Sequence, residues 1–315
     1  MASITDNLVQ PFQLEKIAAR GRTVRLGKVV EDVLGNHDYP EPVASLLGEL
    51  LALAALISGA LKFDGVFSVQ AKGDGPVGTL VVDITTDGKM RGYAQFDDER
   101  LRAVAGKDDP VDWRASPVPR LLGSGHLAFT VDQGPDTERF QGIVELTGAR
   151  LAESAHNYIR QSEQLDAVVL LAAGRVPVES AESAWRAGGV MIQRLPNKGR
   201  SLLSGEARDD DDEDDWVSAV ALMSSTSEEE LLDAALHPHE LLYRLFHEDG
   251  VRVFEPNPLV MFCRCTQDKV VGMLRSFPRA EIEQMTVDDM VIVTCEFCGL
   301  DYNFAPMDLD GIYAS

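Results

Sequence analysis

The sequence predicts an α+β fold in three parts: a mixed, largely antiparallel N-terminal α/β body over residues 1–195, a helical linker over 196–256 and a small C-terminal four-cysteine domain over 257–315. Three observations predict this division. Strand-like runs outnumber helical ones in the first part and do not alternate regularly with them, which favours a mixed antiparallel sheet over a doubly wound one. An acidic stretch rich in helix-capping signals follows it. All four cysteines lie in the last fifth of the chain.

The N-terminal body combines long helices with several strands. An extended entry ends at Pro40, and Pro42 at the start of the next apolar run predicts a long helix through Ala60. A second helix is predicted over 149–162. Turn signals such as the glycine-rich segment 72–76 separate neighbouring strands. The predicted strands cover residues 66–71, 79–84, 90–96, 126–131, 140–146 and 167–172, and a further apolar segment covers 188–193.

The charge balance excludes one class of partner. The chain of 315 residues carries 29 Lys and Arg against 51 Asp and Glu, a net charge of −22. Nucleic-acid affinity rests largely on basic side chains that neutralise phosphates. We therefore expect no nucleic-acid partner. This expectation matters because many zinc-ribbon domains, which paired cysteines indicate, bind nucleic acid.

The chain start and the most apolar stretch favour a cytoplasmic protein. Residues 1–7 lack a basic region followed by an apolar one, so no secretory signal is predicted. The stretch 46–61 carries Glu49 and is shorter than the roughly 20 residues that span a bilayer, so we interpret it as a buried helix and expect no membrane partner. In a reducing cytosol, paired cysteines indicate metal or redox chemistry more often than structural disulfides.

The linker begins at a break over 196–199 and continues into the acidic run 206–215, which holds eight acidic residues against Arg208. Blocks of like charge repel themselves and stay solvated or disordered. A short amphipathic helix is predicted from Trp216. The linker is therefore expected to be acidic and metastable.

Two further linker helices have clear start signals. Ser227 and Glu230 form a capping box that predicts a helix through Leu236. His237-Pro238 predicts the start of a third helix, in which leucines and Phe246 share one face. Short helices of this kind are marginal alone and depend on docking to another surface. Local stability should be lowest in this segment.

The cysteines form two close pairs, Cys263-x-Cys265 and, after 29 residues, Cys295-x-x-Cys298. Each pair can supply one edge of a tetrahedral Zn²⁺ site. Gly299 follows the second pair, where the chain must turn sharply. Strand-like runs on either side, 290–294 and 301–304, predict a hairpin with a metal knuckle at its tip. The C-terminal domain is therefore zinc-ribbon-like.

This C-terminal domain is small for an independent apolar core. At about 60 residues it needs a metal to supply much of its folding free energy. Structural zinc contributes on the order of 10–16 kcal/mol of apparent binding free energy in zinc-finger peptides. We therefore expect the domain to unfold without zinc.

Other motifs predict no catalysis. The Lys72-Gly-Asp-Gly segment lacks the ending of a P-loop and is interpreted as a turn. Ser124 and His126 lack the surroundings of a nucleophile elbow. The three histidines near the cysteine domain are interpreted as helix-cap and surface residues, because four thiolates already fill a tetrahedron. These histidines are His237, His239 and His247.

The thiolates themselves suggest three functions. Oxidants attack thiolates, so oxidation of both pairs would remove the zinc ligands and the free energy that holds the domain together. From spacing alone an inert structural zinc ribbon on a protein-interaction scaffold stays ahead of this redox switch. A thiol-disulfide oxidoreductase using Cys295 and Cys298 is the third option. It requires a CxxC at a helix start, whereas the sequence predicts a strand–turn–strand.

The whole chain resembles the bacterial redox-regulated heat-shock holdase family, also called the 33 kDa chaperonin family. The cysteine pattern followed by Gly299 carries this resemblance, together with nine further segments in family order. These segments are residues 36–40, 61–65, 73–76, 90–92, 138–142, 162–165, 188–189, 240–248 and 262–265. The acidic run 209–215 matches no family motif.

The resemblance implies a non-enzymatic, ATP-independent chaperone that is inactive when reduced and loaded with one Zn²⁺. It implies that oxidation pairs Cys263 with Cys265 and Cys295 with Cys298 and expels zinc. The cysteine domain and then the linker would lose structure and expose apolar surface to unfolded or partly folded client proteins. The resemblance also implies a homodimer of the oxidised form. It carries no client-binding residues.

Overall fold

The computed structural model describes residues 6–105, 112–134, 137–162, 164–178, 181–195 and 210–313. Strands and helices are numbered in chain order. The strands are β1 Leu8–Leu14, β2 Ala19–Leu26, β3 Val66–Gly73, β4 Val77–Thr85, β5 Lys89–Phe96, β6 Gly125–Asp132, β7 Phe140–Glu145, β8 Ala167–Val178, β9 Ala181–Arg194, β10 Val251–Val253, β11 Asn257–Pro258, β12 Val260–Met261, β13 Val291–Thr294 and β14 Asp301–Phe304. The α-helices are α1 Lys28–Leu34, α2 Glu41–Ser58, α3 Asp98–Ala105, α4 Leu151–Ser162, α5 Asp210–Ser224, α6 Glu228–Leu232, α7 Pro238–Phe246, α8 Gln267–Leu274, α9 Arg279–Gln284 and α10 Pro306–Tyr313.

Two six-stranded sheets form the body. The first has the order β10-β1-β2-β9-β8, with β11 also paired to β1, and the second has the order β12-β5-β4-β3-β6-β7. Every pairing is antiparallel except that of β12 with β5. The predicted α+β class and largely antiparallel body are confirmed. The segment before Pro40, predicted only as an extended entry, forms β1, β2 and α1.

Helix α2 is the centre of the core. It packs against strands of both sheets, and nearly all of its side chains are buried. By length and composition it could cross a membrane, but 83% of its apolar window is buried inside the protein, as in the core helix of a folded domain. The interpretation of this stretch as a buried helix is confirmed. Glu49 is the charged residue in its buried part.

The linker helices cover the outer face of the first sheet. Residues alternate along each strand, so Phe12 and Leu14 of β1 face outward while Val9 joins the core around α2. Helices α5, α6 and α7 place Trp216, Met223 and other apolar side chains on that outer face. The docking that such short helices need is thus provided by the body.

The linker helices differ from the predictions in two places. The capping box is present, since Glu230 N donates to Ser227 Oγ at 3.2 Å, but helix α6 ends at Leu232 rather than at Leu236. The part of the acidic run from Asp210 onward is helical, because acidic residues are favourable at a helix N-terminus. Residues 196–209 lie outside the described part of the chain.

Residues 251–261 connect the linker helices to the cysteine region through three short strands. Strands β10 and β11 pair with β1, and β12 pairs with β5. Beyond them lies a small separate core made of Leu274, Ile282, Val291, Phe304, Leu309 and Ile312. This core is far smaller than the two in the body, as expected for a domain that depends on a metal.

Candidate metal centre

The four cysteines come together at one place. The Sγ atoms of Cys263, Cys265, Cys295 and Cys298 all lie within 4.8 Å of one another, and all four are free thiols. Cys263 Sγ is 3.7 Å from Cys295 Sγ, and Cys265 Sγ is 3.5 Å from Cys298 Sγ. A tetrahedron with Zn–S bonds of about 2.3 Å has edges of about 3.8 Å. The arrangement therefore fits a four-thiolate zinc site.

The first pair is positioned by the second body sheet. Strand β12 pairs with β5 through Val260 and Met261, and Phe262 N donates to Met90 O at 2.9 Å, directly before Cys263. Helix α8 starts directly after Cys265, where Thr266 Oγ1 accepts from Lys269 N at 3.3 Å. The pair therefore lies between a strand anchored on the body and the first helix of the cysteine domain.

The second pair lies at the tip of the β13–β14 hairpin. Cys295 N donates to Leu300 O at 2.9 Å, and Gly299 N donates to Cys295 O at 2.8 Å. Gly299 has a φ of +65°, which glycine adopts at little cost. The hairpin with a knuckle at its tip and the glycine turn are both confirmed.

The thiols have divergent acidities. Burial raises the pKa of Cys263, but hydrogen bonds from Cys265 and the other thiols outweigh burial and lower this pKa to about 7. Burial raises the pKa of Cys295 and of Cys298, and the hydrogen bond with Cys263 raises the pKa of both thiols further. Four thiolates this close repel one another. A divalent cation bound between the four thiols would keep all of them ionised.

Residues of the body contact the cysteine knuckle. Asp83 Oδ2 accepts from Arg91 Nη2 at 2.7 Å and from Arg264 Nη2 at 2.8 Å. The Arg91 guanidinium lies 3.7 Å from the centroid of the Phe297 ring and 4.0 Å from Cys263 Sγ. We call these four residues, Asp83, Arg91, Arg264 and Phe297, the docking cluster. It joins both cysteine pairs to strands β4 and β5.

The loop between α1 and α2 contacts the other side of the knuckle. His37 Nε2 is 2.9 Å from Glu296 O, and Asn36 Nδ2 donates to Phe297 O at 3.5 Å. A Cβ atom at Gly299 would lie 2.9 Å from Asn36 O, so the close approach requires glycine. The knuckle is thus held against the body from two directions.

Sequence reasoning missed the docking cluster. Arg264 and Phe297 each lie inside a cysteine pair, and Arg91 belongs to one of the segments that carried the family resemblance. Those positions were available as a signal. Their role in docking could not be predicted, because Asp83 is 181 residues away from Arg264 in sequence and only the fold brings the two together.

The remaining candidate residues lie in a helix cap, in surface contacts and in turns. His237 Nδ1 accepts from His239 N at 3.1 Å and caps α7, while His239 Nε2 contacts Gln10 Oε1 at 3.0 Å. His247 contacts Tyr243 O. Asp74 N donates to Ser124 O at 3.0 Å, so the two glycine-rich segments form adjoining turns.

Fold and site together define a class of protein: an antiparallel α+β body on which a small four-thiol domain is docked, with a helical segment between them lying on the body. Comparison of the sequence identifies the family. The family model described as "Hsp33 protein" matches residues 7–305, so the chain belongs to the Hsp33 family. It is therefore a member of a chaperone family.

Individual relatives agree along the whole chain. A 33 kDa chaperonin of Caulobacter vibrioides is 42% identical over 304 residues, which is 96% of each chain. One from Pseudomonas aeruginosa is 37% identical over 307 residues, covering 97% of this chain and 94% of that one. The crystal structure of the 33 kDa chaperonin from Thermotoga maritima shares the fold, with a TM-score of 0.73 at 21% identity and 97% coverage of both chains.

Proposed function

We propose that this protein is a cytoplasmic, redox-regulated and ATP-independent holdase that prevents aggregation of thermally or oxidatively unfolded proteins. It acts without catalysing a reaction. The observation that carries the proposal is the gathering of four free thiols within 4.8 Å of one another on a domain docked against the body. One Zn²⁺ held by Cys263, Cys265, Cys295 and Cys298 would keep the reduced form inactive.

Zinc would supply folding free energy to the cysteine domain. The domain's core contains six buried apolar side chains in the described part of the chain, which is few for a domain of this size. The thiolates bind the metal, and the metal holds the thiolates together. Loss of the thiolates therefore releases the metal, and loss of the metal lets the thiolates separate. The contact between Arg91 of the body and Phe297 of the knuckle is then lost.

Oxidation would convert the thiolates into two disulfides, Cys263–Cys265 and Cys295–Cys298. Each disulfide forms as two thiolates give two electrons to one peroxide, whose O–O bond breaks and which takes two protons to leave as two waters. Two peroxides thus oxidise the four thiolates, and Zn²⁺ is released without changing its own oxidation state. Without ligands or metal, the domain unfolds.

Short strands would transmit this loss to the linker. Strands β10, β11 and β12 contain only three, two and two residues. The buried side chain of Gln10 joins this region to α7, since its Nε2 donates to Phe254 O at 2.5 Å and its Oε1 contacts His239 Nε2 at 3.0 Å. Once the cysteine domain unfolds, these contacts lose their anchor on the cysteine side, and α7 is held by its apolar packing on the first sheet. Segments with few buried contacts are the first to open.

Release of the linker would uncover an apolar surface. The face under α5, α6 and α7 includes Phe12, Leu14, Val190 and Ile192 of the first sheet. Exposed apolar patches of this kind bind other apolar chains. We propose this face as the client-binding surface. Its exposure is also consistent with a homodimer of the oxidised form, and the acidic net charge argues against a nucleic-acid partner.

The alternative functions have less support. An oxidoreductase needs a low-pKa cysteine at a helix start, but Cys295 and Cys298 lie at the tip of a hairpin and their pKa values are raised. A static zinc scaffold retains its metal under mild oxidant. Light scattering of a thermally unfolding client tests the proposal: the oxidised protein should suppress scattering and the reduced, zinc-loaded protein should not. Equal scattering with both forms would refute it.

A further inference from the structure

A cleft of about 1100 Å³ lies between the body and the linker. Its body wall includes residues of α2, the turn at Trp113, and strands β8 and β9. Its linker wall is formed by Glu228, Glu229, Leu232 and residues 233–235. The cleft is separate from the metal centre, and none of the steps proposed above uses it.

One buried acid that lines this cleft has an oxygen atom without a hydrogen-bond partner in the described part of the chain. Glu49 is only 7% exposed, and no residue in the described part of the chain donates a hydrogen bond to its Oε2 atom. A buried polar atom without a hydrogen bond is unfavourable, and more so if it is charged. Glu49 lines the cleft and its Oε2 atom is covered, so a ligand entering the cleft can supply the missing donor once the carboxyl group turns toward it.

The other charges around the cleft are largely paired, and acids are in excess. Arg114 forms an ion pair with Glu41 at 2.5 Å, and Arg150 forms one with Glu228 at 2.6 Å. Arg175 lies over the Trp185 ring. The lining contains the acids Glu41, Glu49, Glu228, Glu229 and Asp233 against the bases Arg114, Arg150 and Arg175. Anions are therefore disfavoured here and cations are favoured.

We propose that the cleft binds a linear organic polyamine, with one ammonium group donating hydrogen bonds to Glu49. Trp113 and Pro117 offer apolar contact to the methylene carbons. An alkylammonium fits this lining better than a divalent metal ion, which needs several carboxylates converging on one point. Glu49 belongs to no group of residues that could hold a metal ion in the described part of the chain.

Such a ligand would contact both sides of the body–linker boundary. Next to the cleft, Arg186 Nε donates to Leu232 O at 2.9 Å and Arg25 Nη2 donates to Asp233 O at 2.6 Å, so α6 is already held on the body by backbone contacts. A polyamine bound to both walls would add to them, because ligands stabilise the state that binds them. The resulting delay in activation rests on the proposed function, whereas binding itself does not.

Binding should release a proton. Burial raises the pKa of Glu49 to about 7, with Arg150 lowering it and Glu228 raising it. The other charged groups around the cleft are Glu41, Arg114, Arg175, Glu229 and Asp233. An ammonium group favours the carboxylate form of Glu49. Polyamine affinity should therefore increase as the pH rises through neutrality.

Calorimetric titration of the reduced, zinc-loaded full-length protein with spermidine tests the proposal. We expect one site per chain, with affinity at least about tenfold lower in Glu49→Gln, whose side chain keeps the shape and loses the charge. Glu229→Gln at the exposed rim should also weaken binding, and the glutamine can still form a hydrogen bond with Ser227. Glu99→Gln on the exposed surface of α3 is the charge-matched control and should bind as the parent does.

Two further arms identify the ligand chemistry. Nα-acetyl-lysine amide carries one ammonium group and should bind more weakly than spermidine; tighter binding of the lysine derivative would point to a peptide side chain instead. Mg²⁺ should not compete. The proposal is overturned if spermidine binds Glu49→Gln as well as Glu99→Gln, because binding would then reflect only the net negative charge, or if no one-site binding is detected at either about pH 6 or about pH 8.

Discussion

The guanidinium of Arg91 lies 3.7 Å from the centroid of the Phe297 ring. Arg91 belongs to strand β5 of the body, whereas Phe297 lies between the two cysteines of the second pair. The same guanidinium is 4.0 Å from Cys263 Sγ and bonded to Asp83. One body residue therefore contacts both cysteine pairs of the candidate metal centre.

Replacement of Arg91 by Leu should loosen the docked cysteine domain. It removes a cation–π contact and leaves the buried Asp83 with fewer donors, a loss of about 1–2 kcal/mol in docking free energy. Zinc release under a fixed dose of peroxide should then be roughly 5–30-fold faster. A chromogenic zinc indicator gives the rate. Arg102→Leu, which removes an exposed ion pair on α3, should leave the rate unchanged; equal rates for the two variants would contradict a role for the docking cluster.

Undocking the linker should activate the protein without oxidation. Ala219 is fully buried between α5 and the outer face of the first sheet, so Ala219→Asp would bury a carboxylate at a cost of several kcal/mol. The reduced variant should suppress client aggregation while it retains zinc. Val217 on the same helix is 56% exposed, and Val217→Asp is the matched control that should stay inactive. An inactive Ala219→Asp protein with a detached linker, as seen by hydrogen exchange, would exclude this face as the client-binding surface.

Removal of one thiol should unfold the cysteine domain and leave the body folded. Cys298→Ser replaces a ligand at the hairpin tip, and three thiolates hold zinc far more weakly than four. Amide signals of residues 266–313 should collapse to random-coil positions in a heteronuclear spectrum, while those of residues 66–96 stay dispersed. Wild-type protein treated with a strong chelator should show the same pattern. A well-dispersed domain in the metal-free protein would contradict the dependence on zinc.

The stability of the body should fall as the pH rises through the range set by Glu49. Its pKa is raised from 4.5 to about 7 by burial, so the folded state binds the proton more tightly than the unfolded state. The contribution of Glu49 to stability is therefore greatest below about pH 4.5 and decreases by up to about 3 kcal/mol as the pH rises to about 7. Urea unfolding of Glu49→Gln between about pH 5.5 and about pH 8 should show a flatter pH dependence than Glu99→Gln. The same pH dependence of unfolding free energy in the two variants would contradict this role of Glu49.

Local signals in the sequence predicted the parts of the site that depend on neighbours in the chain. The turn at Gly299, the hairpin and the capping box of Ser227 with Glu230 all follow from residues within one turn or hairpin. Strand β2 was not predicted, because Arg22 and Arg25 give it a polar pattern. Both arginines are buried, with partners 171 and 208 residues away, so only the tertiary fold accounts for them.

The position of the linker could not be predicted for the same reason. Its helices show an apolar face, but the sequence does not say which surface that face covers. The alternation of Phe12 and Leu14 with Val9 gives β1 two apolar faces, one for α2 and one for the linker. A strand with two buried faces appears in the sequence as an irregular apolar run rather than as an alternating pattern.

The central claim is tested most directly by counting zinc and free thiols in the same sample whose holdase activity is measured. Before oxidation the proposed redox switch predicts one zinc and four free thiols per chain, matching the four Sγ atoms of the cluster, and no suppression of client aggregation. After peroxide at raised temperature it predicts no bound zinc, no free thiols and strong suppression. Retention of zinc and all four thiols in a sample that has become active would contradict it.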